Sequence, residues 1–144
     1  MMLSPHFHLS EFTTSQEAGR RRIDNTPSAE ILQNLRETAK AMEKVRALLG
    51  NKPILISSGY RSLALNTAVG GSASSAHIRG EAVDFICPGF GSPLEICRAI
   101  AASDLAFDQL IEEAGAWVHL GFGGRWRREV LTWRPKGGYR RGLS

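Results

Sequence analysis

The chain is poor in cysteine and has no long apolar run, and each shortage narrows what it can be. Cys87 and Cys97 are its two cysteines, and they do not form a C-x-x-C pair. One follows a strand-like run and the other sits in a helix-like run, so they read as buried free thiols and not as a disulfide framework. No apolar stretch is long enough to span a bilayer, which excludes membrane insertion. The first residues, Met1 to His8, lack a basic region followed by an apolar core, so a Sec signal peptide is not expected. Synthesis in the cytoplasm is therefore expected, with some other means of release if the substrate lies beyond the inner membrane. There is no internal repeat and no linker, and low complexity is confined to Gly70-Gly-Ser-Ala-Ser-Ser75.

What is present is an ordinary globular balance: 144 residues, 42% hydrophobic and 22% charged. That length suits a single domain over 1–144, with residues 1–25 as an N-terminal extension and 134–144 as a basic tail. A monomer is the expected state. The net charge is +4, and much of the excess lies in Arg125, Arg127, Arg128, Arg134, Lys136, Arg140 and Arg141. Such a stretch suits a nucleic acid, an anionic cell-wall polymer or lipopolysaccharide, or is simply a solvated face.

Periodicity sketches the elements. Residues 10–25 read as a short polar helix and a turn. Ile31, Leu35, Ala39, Met42, Val45 and Leu49 then recur at helical spacing, with Thr26 as N-cap, Pro27 at the first helical position and Gly50 as the stop. A short strand is expected over 53–57, a brief helix over 62–69 and a strand over 82–87. Ser92-Pro93-Leu94-Glu95 is a capping box opening a helix to about Ala102. Three more strands are expected over 107–113, 117–122 and 129–133, with Gly115 in the turn between the first two. Helices first and strands later favour an α+β fold with a small, mainly antiparallel sheet packed with helices.

Chemistry concentrates in Ser75-Ala-His77-Ile-Arg-Gly80-Glu-Ala82-Val-Asp84, which reads S-x-H-x-x-G-x-A-x-D. Asp84 lies inside the apolar run Ala82 to Ile86, where a carboxylate is costly unless its charge is compensated. A divalent metal shared with His77 would compensate it. A third ligand is available in Trp117-Val-His119-Leu. Alternation puts Asp84 on one face of its strand with Ala82 and Ile86, and His119 on one face with Trp117. If the two strands are neighbours, both side chains meet at one point, and Gly80 lets the loop bearing His77 turn back to it. Two histidines and a carboxylate form a three-ligand zinc shell with a fourth position open. Taken singly, each group also fits a hydrogen-bonded structural role. His6 and His8 are weaker candidates, near the chain end. A base is also needed, and Glu113 lies in the preceding strand. Glu112 should face the other way.

These blocks, with Phe7-His-Leu-Ser-Glu-Phe12 and Ile56-Ser-Ser-Gly-Tyr-Arg-Ser62, resemble those of the zinc D-alanyl-D-alanine carboxypeptidases and murein endopeptidases, whose fold is shared with the hedgehog signalling domain. The resemblance covers residues 7–133. It implies zinc bound by His77, Asp84 and His119, substrate contact by Arg61, a substrate-binding or loop-steadying role for Ser75, and Glu113 as catalytic acid–base. One departure is plain. Some members carry the catalytic glutamate three residues before the last histidine, where this chain has Ala116, and others a histidine two residues before, where it has Trp117.

The resemblance implies a zinc metallopeptidase acting on peptidoglycan stem peptides, of D-Ala-D-Ala carboxypeptidase or L-Ala-D-Glu endopeptidase type. The size, the N-terminus and the basic tail are similar to those of a phage endolysin released to the cell wall at lysis. Two other readings stay open. A non-catalytic zinc-binding module of the same fold would keep the ligands and lack turnover, as Ala116 permits. A nucleic-acid binder would use Arg125-Trp-Arg-Arg128 and Tyr139-Arg-Arg141, although no nucleic-acid fold motif accompanies them, so nucleic acid is not expected as the main partner.

Overall fold

The apolar stripe at helical spacing becomes α3, Ala29–Leu48, with Leu35, Ala39, Met42 and Val45 fully buried along it. The computed structural model describes residues 1–144. The N-cap of α3 is Ser28, whose hydroxyl accepts from the Ile31 amide at 3.2 Å, and not Thr26. The amide of Thr26 is engaged by the Asp24 carboxylate at 2.9 Å, so Thr26 belongs to an Asx turn and Pro27 precedes the cap.

Ahead of α3 lie β1 (Met2–Ser4), β2 (Phe7–His8), α1 (Leu9–Thr13) and α2 (Gln16–Arg21). The two strands pair with each other, and β1 packs on α3. They were not expected from the sequence, because strands of three and two residues carry no readable period. After α3 come β3 (Leu55–Ser58), α4 (Leu63–Ala68), a 3-10 turn (Ala76–Arg79) and β4 (Ala82–Ile86). Then follow α5 (Pro93–Ala102), β5 (Gln109–Glu113), β6 (Trp117–Gly121), β7 (Glu129–Arg134) and β8 (Gly138–Arg141). The capping box at Ser92 forms as its sequence requires, with Pro93 in the first turn.

The main sheet has six strands in the order β3-β4-β6-β5-β7-β8. All its pairs are antiparallel except β5 with β7. This is the α+β fold with a mainly antiparallel sheet that the element order implied. Helices α3 and α5 cover one face. Val83, Phe85, Leu110, Val118 and Leu120 point into it and join the helices in one buried apolar cluster. Their alternate neighbours Asp84, Ile111 and His119 therefore point to the opposite face, where the chemistry lies.

The arginines expected in a basic face are largely anchored. Arg134 closes β7 and pairs with the buried Glu112 at 2.5 and 3.3 Å. Arg127 forks onto Asp108 at 3.0 and 2.9 Å. Arg128 lies over the Phe107 ring at 4.4 Å and donates to the carbonyls of Ala101, Ser103 and Leu105. Both cysteines are buried and free, as expected. No helix is long and apolar enough to cross a membrane.

Candidate metal centre

Strand register decides the first two groups of the site. Asp84 on β4 and His119 on β6 are direct cross-strand partners. Their side chains leave the same face, and His119 Nδ1 lies 2.9 Å from Asp84 Oδ1. His77 comes from the 3-10 turn, whose N-cap Ser75 accepts the His77 amide at 3.2 Å. Gly80 ends that turn at φ +71°, in the left-handed region, and hands the chain to β4. A Cβ at Gly80 would also press on Leu35 Cγ at 3.1 Å, so α3 holds the turn against the sheet.

His77 is buried, and its Nδ1 is 2.7 Å from the Gly59 carbonyl. A carbonyl only accepts, so Nδ1 carries a proton there, and Nε2, 3.3 Å from Asp84 Oδ1, is the nitrogen left for a metal. A backbone acceptor that fixes the tautomer in this way is the usual support of a metal-ligating histidine. The ligand atoms of His77, Asp84 and His119 all lie within 4.8 Å of one another. Zinc bonds of 2.0–2.1 Å at tetrahedral angles would set ligand atoms about 3.3–3.4 Å apart, so the 3.3 and 2.9 Å separations of the histidine nitrogens from Asp84 Oδ1 and the two-nitrogen, one-oxygen donor set are compatible with zinc.

Burial works against a charge on Asp84, but hydrogen bonds from His119 and His77 outweigh it and hold the carboxyl well below the ordinary range. Its second oxygen, Oδ2, faces Arg61 Nη2 at 3.6 Å. Arg61 is itself held by Ser58 Oγ at 3.3 Å and by Asn66 Oδ1 at 3.2 Å. Asn66 is buried on α4 and spends its amide hydrogens on the Ser72 carbonyl at 2.9 Å. A Cβ at Gly71 would fall 2.1 Å from Asn66 Oδ1 and 3.0 Å from Arg61 Nη1, so only glycine lets the loop close over this pair. The sequence reading missed Asn66 and Gly71. A six-residue helix offers too little period to mark a buried polar position.

Glu113 ends β5, and its cross-strand partner is Trp117. Burial, then the Asp84 charge, pushes its carboxyl up, while His119, Arg61 and the Trp117 indole oppose the rise. Trp117 Nε1 is buried with no hydrogen-bond partner of good geometry, leaving a donor free beside Glu113. Glu112 points to the opposite face, as alternation requires. His77, Asp84, His119, Arg61, Ser75 and Glu113 all line one cleft of about 840 Å³. His6 and His8 are elsewhere: His6 binds Glu43, and His8 caps α1 in a capping box with Glu11. The same N-terminal segment braces the site from behind, since the Tyr60 amide donates to the Phe12 carbonyl at 2.7 Å and Asn25 Oδ1 accepts the Ser62 amide at 2.8 Å.

With this geometry in view, comparison with known proteins is decisive: the family model described as Peptidase M15 matches residues 5–121. The chain belongs to the peptidase M15 family. That bears out the family resemblance carried by the sequence blocks. Over 70 residues the chain is 34% identical to the zinc D-Ala-D-Ala carboxypeptidase of Streptomyces albus G. That stretch covers 49% of this chain and 26% of the relative, so the chain spans only about a quarter of the relative's length. The M15 match ends at the close of β6, and β7 and β8 lie beyond it.

Proposed function

We propose that this M15 member hydrolyses peptide bonds of peptidoglycan stem peptides, with one zinc ion held by His77, Asp84 and His119. The observation that carries the reading is the convergence of those three ligand atoms in a cleft that Glu113 and Arg61 also line. Bound zinc would supply Lewis acidity, polarising a carbonyl and acidifying water. The chain's own residues do the rest. Glu113, a partly buried carboxylate with a raised pKa, accepts a proton from the attacking water and returns it to the leaving amine. The free indole N–H of Trp117, its cross-strand partner, is the donor available to that carboxylate. Arg61, its fork aimed by Asn66 and Ser58, orients a substrate carboxylate as a lysine could not. Ser75 secures the turn that presents His77.

Ala116 does not disable the site under this reading, because Glu113 supplies from β5 the carboxylate that other members carry beside the last histidine. Glu113→Gln should retain zinc and lose about 10²–10⁴-fold in turnover on muropeptides. Zinc retention with undiminished turnover would remove Glu113 from the mechanism. A wild-type, zinc-loaded protein that binds metal and cleaves no muropeptide would instead establish the non-catalytic module. Mass spectrometry of digested muropeptides reads which bond is cut, D-Ala-D-Ala or L-Ala-D-Glu. Action on the cell wall as an endolysin-type monomer belongs to the same proposal.

A further inference from the structure

The metal centre sits towards one edge of the sheet, and the site face continues past it. Register carries the row of Asp84 and His119 on to Ile111 of β5 and Leu131 of β7. The next row runs from Trp117 to Glu113, then Trp133, then Tyr139 of β8. Ile111, Leu131 and Tyr139 line the same cleft as the metal cluster, on the side opposite Arg61 and the Gly/Ser loop. The cleft therefore has two unlike wings. One is cationic and hydroxyl-rich, with Arg61, Ser72, Ser74 and Ser75. The other carries the apolar side chains of Ile111, Leu131 and Tyr139, with Gln109, Glu113 and the Arg127–Asp108 pair lining the cleft beside them.

Tyr139 stands at the far end of the apolar wing and is 62% exposed, a large ring left open to solvent. Its hydroxyl feels the site: burial and then the charges of Glu113 and Asp84 push its pKa up. Strands lie about 4.8 Å apart, so the three steps from β6 to β8 place Tyr139 about 14 Å along the sheet from His119. An extended peptide covers that span in about four residues at 3.3–3.6 Å each. If Arg61 holds a carboxylate on the leaving side of the scissile bond, the apolar wing is left for the other side.

We infer that Ile111, Leu131 and Tyr139 form a subsite for the substrate segment N-terminal to the scissile bond, with the Tyr139 ring as its specificity-determining contact, an inference that rests on the peptidase reading above. Leu131 and Tyr139 lie on strands beyond the M15 match, while Ile111 lies on β5 within it. The ligand is an extended oligopeptide of about four residues on that side, which a stem pentapeptide supplies when the terminal D-Ala-D-Ala bond is the one cut, and a short acyl dipeptide would miss it.

The test uses full-length, zinc-loaded Glu113→Gln protein, which allows binding to be measured without turnover. A MurNAc-pentapeptide is titrated by calorimetry, alongside the same peptide shortened to its last three residues. Adding Tyr139→Ala should weaken the long ligand about tenfold, as loss of an aromatic anchor does, and leave the short one within about twofold. Tyr139→Phe, which keeps the ring, should stay within about twofold on both. Equal effects on the two ligands, or less than about twofold on the long one, would overturn the subsite. A Phe variant as weak as the Ala variant would overturn the apolar contact. Wild-type turnover measured in parallel separates the two ideas. If wild type cleaves and Tyr139→Ala leaves binding unchanged, the subsite falls and the peptidase reading stands. If nothing is cleaved but the binding pattern holds, the reverse follows, and failure to bind either ligand sinks both.

Discussion

Asn66→Ala tests how the protein aims its arginine. The side chain is buried, so each bond it loses leaves a partner without water in easy reach. Removing Oδ1 takes a charge-assisted acceptor from Arg61, worth about 1.5–3 kcal/mol, and removing Nδ2 strips a neutral bond from the Ser72 carbonyl, worth about 1 kcal/mol. Arg61 keeps Ser58 and Asp84 as partners, so part of the first loss is recovered. The expected destabilisation is about 2–4 kcal/mol. With a urea slope near ~2 kcal/mol per molar, the unfolding midpoint should fall by about 1–2 M at constant slope. His77, Asp84 and His119 make no hydrogen bond to Asn66, so zinc affinity should be unchanged, while KM rises because the guanidinium is no longer held in place. A midpoint within about 0.3 M of wild type would show that Asn66 is not a structural partner of Arg61. Zinc affinity falling together with stability would show that the arginine and the ligands are not separable, contrary to the geometry.

Three further outcomes follow from the same structure. Arg134→Met leaves the Glu112 carboxylate buried without its fork, and should lower the midpoint of chemical unfolding, partly restored by adding Glu112→Gln. Glu43 anchors the N-terminal strands through Ser4, the His6 amide and the His6 ring; burial raises its pKa, but these bonds prevail and lower it. A folded pKa below the unfolded value means its stabilisation is full above that unfolded value and is lost as pH falls through the folded one. Protection factors in residues 2–9, exchange corrected for the intrinsic pH dependence, should therefore fall at acid pH, and Glu43→Gln should abolish that fall. Burial pushes the Cys97 thiol up to about 12 and raises Cys87 as well. Neither should react with a thiol reagent in the folded protein near about pH 8, and both should react once the chain is denatured.

The Asp84–His119 pairing was legible because a carboxylate in an apolar strand needs compensation and strand alternation fixes its face. Both conditions are local, and the register then met them. The cap at Ser92 was legible for the same reason, since a cap and its partner amide are three residues apart. The cap at Ser28 was misplaced by two residues because Pro27 suits either side of a helix start. The short strands β1, β2 and β8 escaped, since two to four residues carry no period and exist only through their partners. The basic stretch was read by its charge, whereas Arg127, Arg128 and Arg134 are held by partners distant in sequence.

Sequence by itself determined the chemical kinds: which side chains can ligate a metal, which strand faces they occupy, and which family the blocks belong to. Those follow from residue type and spacing within a few positions. Only the tertiary structure decided that the Gly59 carbonyl sets the His77 tautomer, that Asn66 and Gly71 frame Arg61, and that Tyr139 reaches the cleft from β8. Each of these joins segments that meet because a shared core forces them together, and no local pattern encodes which distant groups that core will bring into contact.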